Sequence, residues 1–488
     1  MTSKTASPRQ GRSPRLAAIA YVLIATVGLA GCGGSGGSPT SSTEPPPAPP
    51  PSPPPPPPPP PPSGAPATPK GLLATPSRGQ LEVGWTANTE SDLAAYLLTF
   101  NISGSSATQT IVVNAPATQT VLTGLQEGAE YTLTLVARDA GGDLSAVTPA
   151  ITARTARLPT AAETAAYQSA AAYSNTLSGN AVVIMRDGLI VFEQYASSFS
   201  QTSPNPLASG TKSFSCAFAV AAETDGLVKI DDLASVYLPE WTTDPNKSRI
   251  KISDLLSLQA GMTGDPNYSA TNVQNLDTYT QAINTDPATY APGETFIYDP
   301  LVFQAYAAIF ERRAAGEDPI AYLQRRVFDP IGLVVSSWQR DRVANPQMAG
   351  GANMTARDWL KYGQLAVQNG AWQGRRVLDA DRFQRCLTFP NAAYAGYGLT
   401  WWLNRPVGDT IGPLDRIPED GRAGPSGQIA PSAPADMAMA AGTGKQRLYV
   451  IPSLGLTIVR YAPLNSGVGG GSAWSDETFL AKALGRIP

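Results

Sequence analysis

The 488-residue sequence contains no histidine. That absence excludes a Ser-His-Asp or Cys-His catalytic group, a His-ligated zinc and a haem with a proximal His. Acid–base chemistry must therefore run on Lys, Tyr, Asp or Glu. Cysteine is nearly as scarce, with only Cys32, Cys216 and Cys386. Three are too few for a disulfide scaffold and lack metal-ligand spacing. A free buried thiol is the default for Cys216, and whether it pairs with Cys386 stays open. Charge is sparse too, at 15% of residues with a formal net of −3. The first 31 residues carry Lys4, Arg9, Arg12 and Arg15 and no acid, so the remainder is more acidic than the total. With no basic stripe to neutralise phosphates, no nucleic-acid partner is expected.

The length calls for two or more folded units. The basic start is followed by an apolar run, Leu16–Leu29, too short for a comfortable membrane span of ~20 residues, and the pattern predicts an export signal over 1–31. Leu29-Ala30-Gly31-Cys32 resembles the bacterial lipobox, whose cysteine is lipidated. That resemblance implies a lipoprotein of the bacterial envelope anchored through Cys32, and Gly33 after it implies the outer membrane. Residues 32–65 form a Gly/Ser- and Pro-rich linker, in which 16 of the 18 residues Pro45–Pro62 are proline. Such a run adopts polyproline II and would extend about 55 Å as a stiff stalk.

Over 66–156, short alternating segments recur between turns: Gln80–Trp85, Ala95–Phe100, Thr110–Val113, Thr118–Leu122 and Tyr131–Ala137. This spacing predicts a β-sandwich. The segment resembles a fibronectin type III domain, with Trp85 as its buried tryptophan, Leu125-Gln-Glu-Gly-Ala-Glu-Tyr131 as its tyrosine corner and Asp139–Ser145 as its last hairpin. These aromatics are expected in the core. The module is expected to act as a spacer, or as a weak contact to an envelope polysaccharide or protein.

From 160 to 488 the pattern is mixed α/β. Ala181–Phe192 reads as a hairpin turning at Arg186-Asp187-Gly188, helices are predicted over 209–225, 301–314 and 355–369, and apolar strands return at Arg447–Ile451 and Leu456–Arg460. Strands at both ends with helices between predict one antiparallel sheet, closed by both ends of the segment and flanked by helices.

Without histidine, a serine can be activated by a neutral lysine, and Ser-x-x-Lys brings hydroxyl and amine onto one helical face. The motif occurs twice, as Ser209-Gly-Thr-Lys212 and Ser248-Arg-Ile-Lys251. Ser209 opens a run with Phe214, Ala217, Phe218 and Ala221 at helical spacing, so it is expected at the start of a core-packed helix. There, backbone N–H groups can steady an oxyanion and the positive helix end opposes protonation of Lys212. Ser248 precedes an alternating, exposed segment and is read as structural.

Around Ser209 the chain resembles the serine β-lactamase and penicillin-binding superfamily, nearest its class C-like branch of esterases and 6-aminohexanoate-dimer hydrolases. Gly226–Glu240, Ile250–Met262, Val327–Leu333, Met354–Trp359 and Tyr397–Trp402 carry the resemblance, which implies an α/β β-lactamase-like domain with an all-helical subdomain. It also implies Ser209, Lys212 and Tyr298 as catalytic residues, with Tyr298-Asp299-Pro300 in place of Tyr-x-Asn. There Tyr298 would have a phenolate steadied by the ammonium or would shuttle a proton to the leaving group. Gly442 and Thr443 fall at the third motif, where the amide of Thr443 would complete an oxyanion hole with that of Ser209. Pro300 removes the side chain that holds a β-lactam amide, and no lysine opens the third motif. Lys445 and Arg447, close by, are expected to face solvent. The resemblance thus implies a hydrolase of small esters or amides, without metal or cofactor. The alternatives are a β-lactamase or DD-carboxypeptidase, and a catalytically silent envelope-binding protein.

Overall fold

The computed structural model describes residues 64–269, 271–407, 427–465 and 473–487. The export signal, Cys32 and nearly all of the proline-rich linker lie outside them. Among the described residues no helix is long and apolar enough to cross a membrane.

Residues 70–154 fold as two facing antiparallel sheets. One contains Lys70–Ser77, Gln80–Thr86 and Gln119–Leu122; the other orders Gln109–Asn114, Leu93–Ile102, Glu130–Asp139 and Ile151–Arg154. Alternation is clearest in Glu130–Asp139, where Tyr131, Leu133, Leu135 and Ala137 point inward. Trp85 and Tyr96 meet edge-to-face at 5.1 Å in that core. The Tyr131 hydroxyl accepts the Gln126 N–H at 3.0 Å, which is the tyrosine corner.

The second domain is built on six antiparallel strands in the order Trp402–Leu403, Ala438–Gly442, Gln446–Ile451, Leu456–Tyr461, Ala181–Arg186, Leu189–Tyr195. Ala181–Arg186 and Leu189–Tyr195 come from the start of the domain sequence and the others from its later part, as the apolar pattern predicts. Helix Ala356–Val367 lies on one face, where Gly363 allows close approach: a Cβ there would stand 2.4 Å from Thr457 and 2.6 Å from Leu448. Helices Ala161–Thr176 and Asp476–Ala483 cover the other face. With both faces covered, the central strands are buried throughout.

Burial on both faces overturns one expectation. Lys445 and Arg447 are buried rather than turned to solvent. Arg447 donates to Asp476 at 2.8 Å across the covered face, so its charge is compensated inside the protein. The sequence default for Cys216 is also corrected. It is disulfide-bonded to Cys386, 170 residues away, joining helix Phe214–Thr224 to helix Ala380–Thr388.

The two domains touch through the turn at Gly374. Its N–H donates to Thr75 Oγ1 at 2.8 Å and its carbonyl accepts from Gln119 Nε2 at 3.3 Å. A Cβ on Gly84 would lie 1.9 Å from the Gly374 carbonyl oxygen, so the backbones are in direct contact. The sandwich also approaches Gly188, in the hairpin turn between the last two strands of the sheet. By strand register, that turn lies at the end of the sheet opposite Gly442.

Candidate active site

Ser209 sits in a 3-10 turn, Ala208–Ser213, that runs directly into helix Phe214–Thr224. Ala208 has φ +45°, a left-handed conformation that costs a non-glycine residue about 1 kcal/mol or more, and it presents Ser209 at a sharp bend. Two bonds clamp the turn to the neighbouring strand Ala352–Thr355. Leu207 N–H donates to the Ala352 carbonyl at 2.9 Å, and Ala352 N–H donates to Thr211 Oγ1 at 3.1 Å. Trp359 forms the floor, and a Cβ on Gly210 would meet its ring at 2.7 Å.

One helical turn along, Lys212 is 3% exposed. Its Nζ donates to Ser209 Oγ at 2.9 Å and to the Ala349 carbonyl at 2.9 Å, and lies 4.6 Å from the Tyr298 ring centroid. Burial lowers the amine to about 7, against a smaller opposing pull from Asp299. A neutral amine beside a serine hydroxyl is a general base at neutral pH. Tyr298 comes from the loop before helix Leu301–Arg313 and stacks on Trp402 with centroids 5.8 Å apart. The structure therefore brings Ser209, Lys212 and Tyr298 together around one cavity of about 830 Å³.

Gly442 ends the strand Ala438–Gly442 hard against the turn that carries Ser209. A Cβ there would stand 2.0 Å from the Leu207 carbonyl oxygen and 3.1 Å from the Gly210 nitrogen. Only glycine lets the strand approach this closely, and Thr443 follows it onto the cavity wall. The second Ser-x-x-Lys does not form a site. Ser248 lies in the short turn Lys247–Arg249, and Lys251 is exposed just before helix Ile252–Leu256.

Several wall residues carry no sequence signal. Tyr268, Val273, Trp338, Gln347 and Asn353 line the cavity with Pro300. The Ala349 carbonyl that holds Lys212 is a backbone group in an unpatterned loop. Asn353 also lines the cavity, but its Oδ1 is buried and meets no protein donor among the described residues. Among the described residues lining the cavity, Lys212 is the only cation. Arg447 is turned to Asp476.

Comparison with known proteins bears on the family and the fold. The family model for Beta-lactamase matches residues 162–477, and that for the fibronectin type III domain matches 67–153. A protein of Salmonella agona named "Putative D-alanyl-D-alanine carboxypeptidase" is 30% identical over 157 residues, covering 30% of this chain and 34% of the relative's length. The match thus spans about a third of such relatives. A family VIII carboxylesterase structure superposes with TM-score 0.51 at 13% identity, covering 68% of this chain and 98% of that one. A penicillin-binding protein homologue from Caulobacter crescentus gives TM-score 0.50 at 13% identity, covering 67% and 97%. At these identities the superpositions speak to fold alone. With the family model spanning well over half its length, the chain belongs to the beta-lactamase family, carried behind a fibronectin type III domain.

Proposed function

We propose that this protein is a serine hydrolase that cleaves small, uncharged esters or amides through an acyl-enzyme on Ser209. The observation that carries the reading is a buried, neutral-leaning Lys212 amine at 2.9 Å from Ser209 Oγ, open to a cavity of about 830 Å³. The Ser209 proton passes to Lys212 as Oγ bonds to the substrate carbonyl carbon. The N–H groups of Ser209 and Thr443 receive the oxyanion. As the carbon–heteroatom bond breaks, Lys212 and Tyr298 return that proton to the leaving group. Water then adds to the acyl carbon, gives its proton to the same pair and restores Ser209.

The absence of a second cation from the described cavity wall supports a neutral substrate, since a carboxylate brought there would lose its hydration with little in return. Hydrolysis of p-nitrophenyl butyrate, with fluorophosphonate labelling that maps to Ser209, is the expected result. Intact protein inert to both reagents refutes the reading.

The likeness to proteins named as D-alanyl-D-alanine carboxypeptidases supports a second reading, as a peptidase of D-alanyl peptides or a β-lactamase. Rapid nitrocefin turnover, lost in Ser209→Ala, would establish it over the first. We also propose export and anchoring through lipidated Cys32. The lipobox-like Leu29–Cys32 and the Cys216–Cys386 disulfide support this, because disulfides persist in oxidising compartments. Metabolic labelling with a fatty acid, abolished by Cys32→Ala, is the check.

A further inference from the structure

Two arginines stand opposite each other on adjacent strands of the sheet, Arg447 against Arg460, and both are buried. Like charges so placed repel, and a buried charge is costly unless it is compensated where it lies. Arg447 takes Asp476, at 2.8 and 3.3 Å. Arg460 takes neutral oxygens instead. Its Nε donates to Ser174 Oγ at 3.2 Å and its Nη2 to the Leu177 carbonyl at 2.9 Å, both at the C-terminal end of helix Ala161–Thr176. Its Nη1 donates to the carbonyls of Gly444 and Lys445, at 3.1 and 2.9 Å. The Trp474 ring closes over the guanidinium, with its centroid 4.3 Å away.

Gly444 and Lys445 belong to the turn Thr443–Lys445, which joins strand Ala438–Gly442 to strand Gln446–Ile451 and puts Thr443 on the cavity wall. This turn needs holding. Lys445 has φ +58°, a conformation that residues with a side chain disfavour. Carbonyls of a hairpin turn ordinarily face water, but Gly444 and Lys445 are buried and one guanidinium nitrogen pairs both of theirs. We propose that Arg460 is a positioning residue for the oxyanion site: by gripping the Gly444 and Lys445 carbonyls it fixes the Thr443 amide against Ser209. The proposal rests on the Ser209 hydrolase reading above and deepens it, since it names what sets one of the two oxyanion donors. A planar guanidinium presents its donors in a fixed fork, so one side chain ties the helix end and the turn together rigidly. The base of the turn has a second tie, because Asn205, four residues before Ser209, donates from Nδ2 to Gln446 Oε1 at 3.0 Å.

The test is steady-state hydrolysis of p-nitrophenyl butyrate and inhibition by butylboronic acid, in wild type, Arg460→Met and Ser174→Ala. Boron bonds to Ser209 Oγ as the serine proton leaves, and one oxygen of the tetrahedral adduct occupies the oxyanion site, so inhibitor affinity reads the same donor that kcat does. Arg460→Met should lower kcat by about 10-fold or more, with KM within about twofold, and weaken the boronic acid by a similar factor. Ser174→Ala removes a helix-side contact and leaves both turn carbonyls held, so its kcat should stay within about twofold of wild type even where Tm falls. An Arg460→Met protein that is folded by circular dichroism and keeps both kcat and boronic acid affinity overturns the proposal, as does an equal loss in Ser174→Ala. Should Arg460→Met not fold, hydrogen exchange of the wild type decides. The amides of Gly444 and Lys445 should exchange no faster than those of strand Leu456–Tyr461, and faster exchange overturns the clamp. Wild-type Ser209 left unlabelled by a fluorophosphonate would strike the hydrolase reading, while the exchange rates would still report on the turn.

Discussion

Ser209-x-x-Lys212 and Ser248-x-x-Lys251 have the same pattern and opposite fates. At the first, the lysine is 3% exposed and its amine bonds to the serine at 2.9 Å. At the second, the lysine is exposed and its backbone N–H binds Asp254 at 2.8 Å as the entry to a helix. What separates them is the solvent around the amine. Spacing brings the groups onto one face, but only burial strips water from the ammonium and makes it a base. Lys212 lies in a turn, Ala208–Ser213, that is packed inside the domain, whereas Lys251 stands on the outside of its segment, just before the helix Ile252–Leu256.

The largest test of this contrast is serine removal. Ser209→Ala should cut kcat by about 10³-fold or more, whereas Ser248→Ala should leave it unchanged, measured on a p-nitrophenyl ester. A comparable loss at Ser248 would break the comparison. Lysine replacement comes next and adds a stability readout. Lys212→Met should abolish turnover and raise Tm, while Lys251→Met should do neither. The sign follows from linkage. The folded amine, near 7, lies below its unfolded value of 10.5, so the unfolded chain binds the extra proton between them. Lys212 therefore costs stability at neutral pH and costs most below about 7. The Tm gain of Lys212→Met should be larger at pH 6 than at pH 10, by differential scanning calorimetry.

Gly442→Ala sharpens the same picture from the facing strand. Its methyl would meet the Leu207 carbonyl at 2.0 Å, so the strand must move off the nucleophile turn. A kcat loss of about 10²-fold, the scale of removing one oxyanion donor, is expected with the fold retained by circular dichroism. Smallest is a pH effect: kcat/KM should rise through about pH 7 as Lys212 loses its proton, with the midpoint read from a pH–rate profile.

Much of this was legible beforehand because it is periodic. The sandwich announced itself through strict alternation and the Leu125–Tyr131 spacing. The helices predicted at 209–225, 301–314 and 355–369 begin or end within a few residues of the observed ones. Ser209, Lys212 and Tyr298 came from motif and resemblance, and the structure places them around one cavity. What escaped depends on contacts between distant segments. Arg447, at the start of an apolar strand, reads as facing solvent, and it is the helix Asp476–Ala483 laid over that face that buries it and brings Asp476 to it. The Cys216–Cys386 pairing joins positions 170 apart, which no local pattern links. The Ala349 carbonyl acts through backbone alone.

The bridge between Cys216 and Cys386 encloses Tyr268, Tyr298, Trp338 and Asn353 in one closed ring of chain, with Ser209 just outside it. Both sulfurs are sealed from solvent, so a reductant reaches them only when the catalytic domain opens. The rate at which dithiothreitol liberates these thiols is therefore a clock for the breathing of the pocket wall.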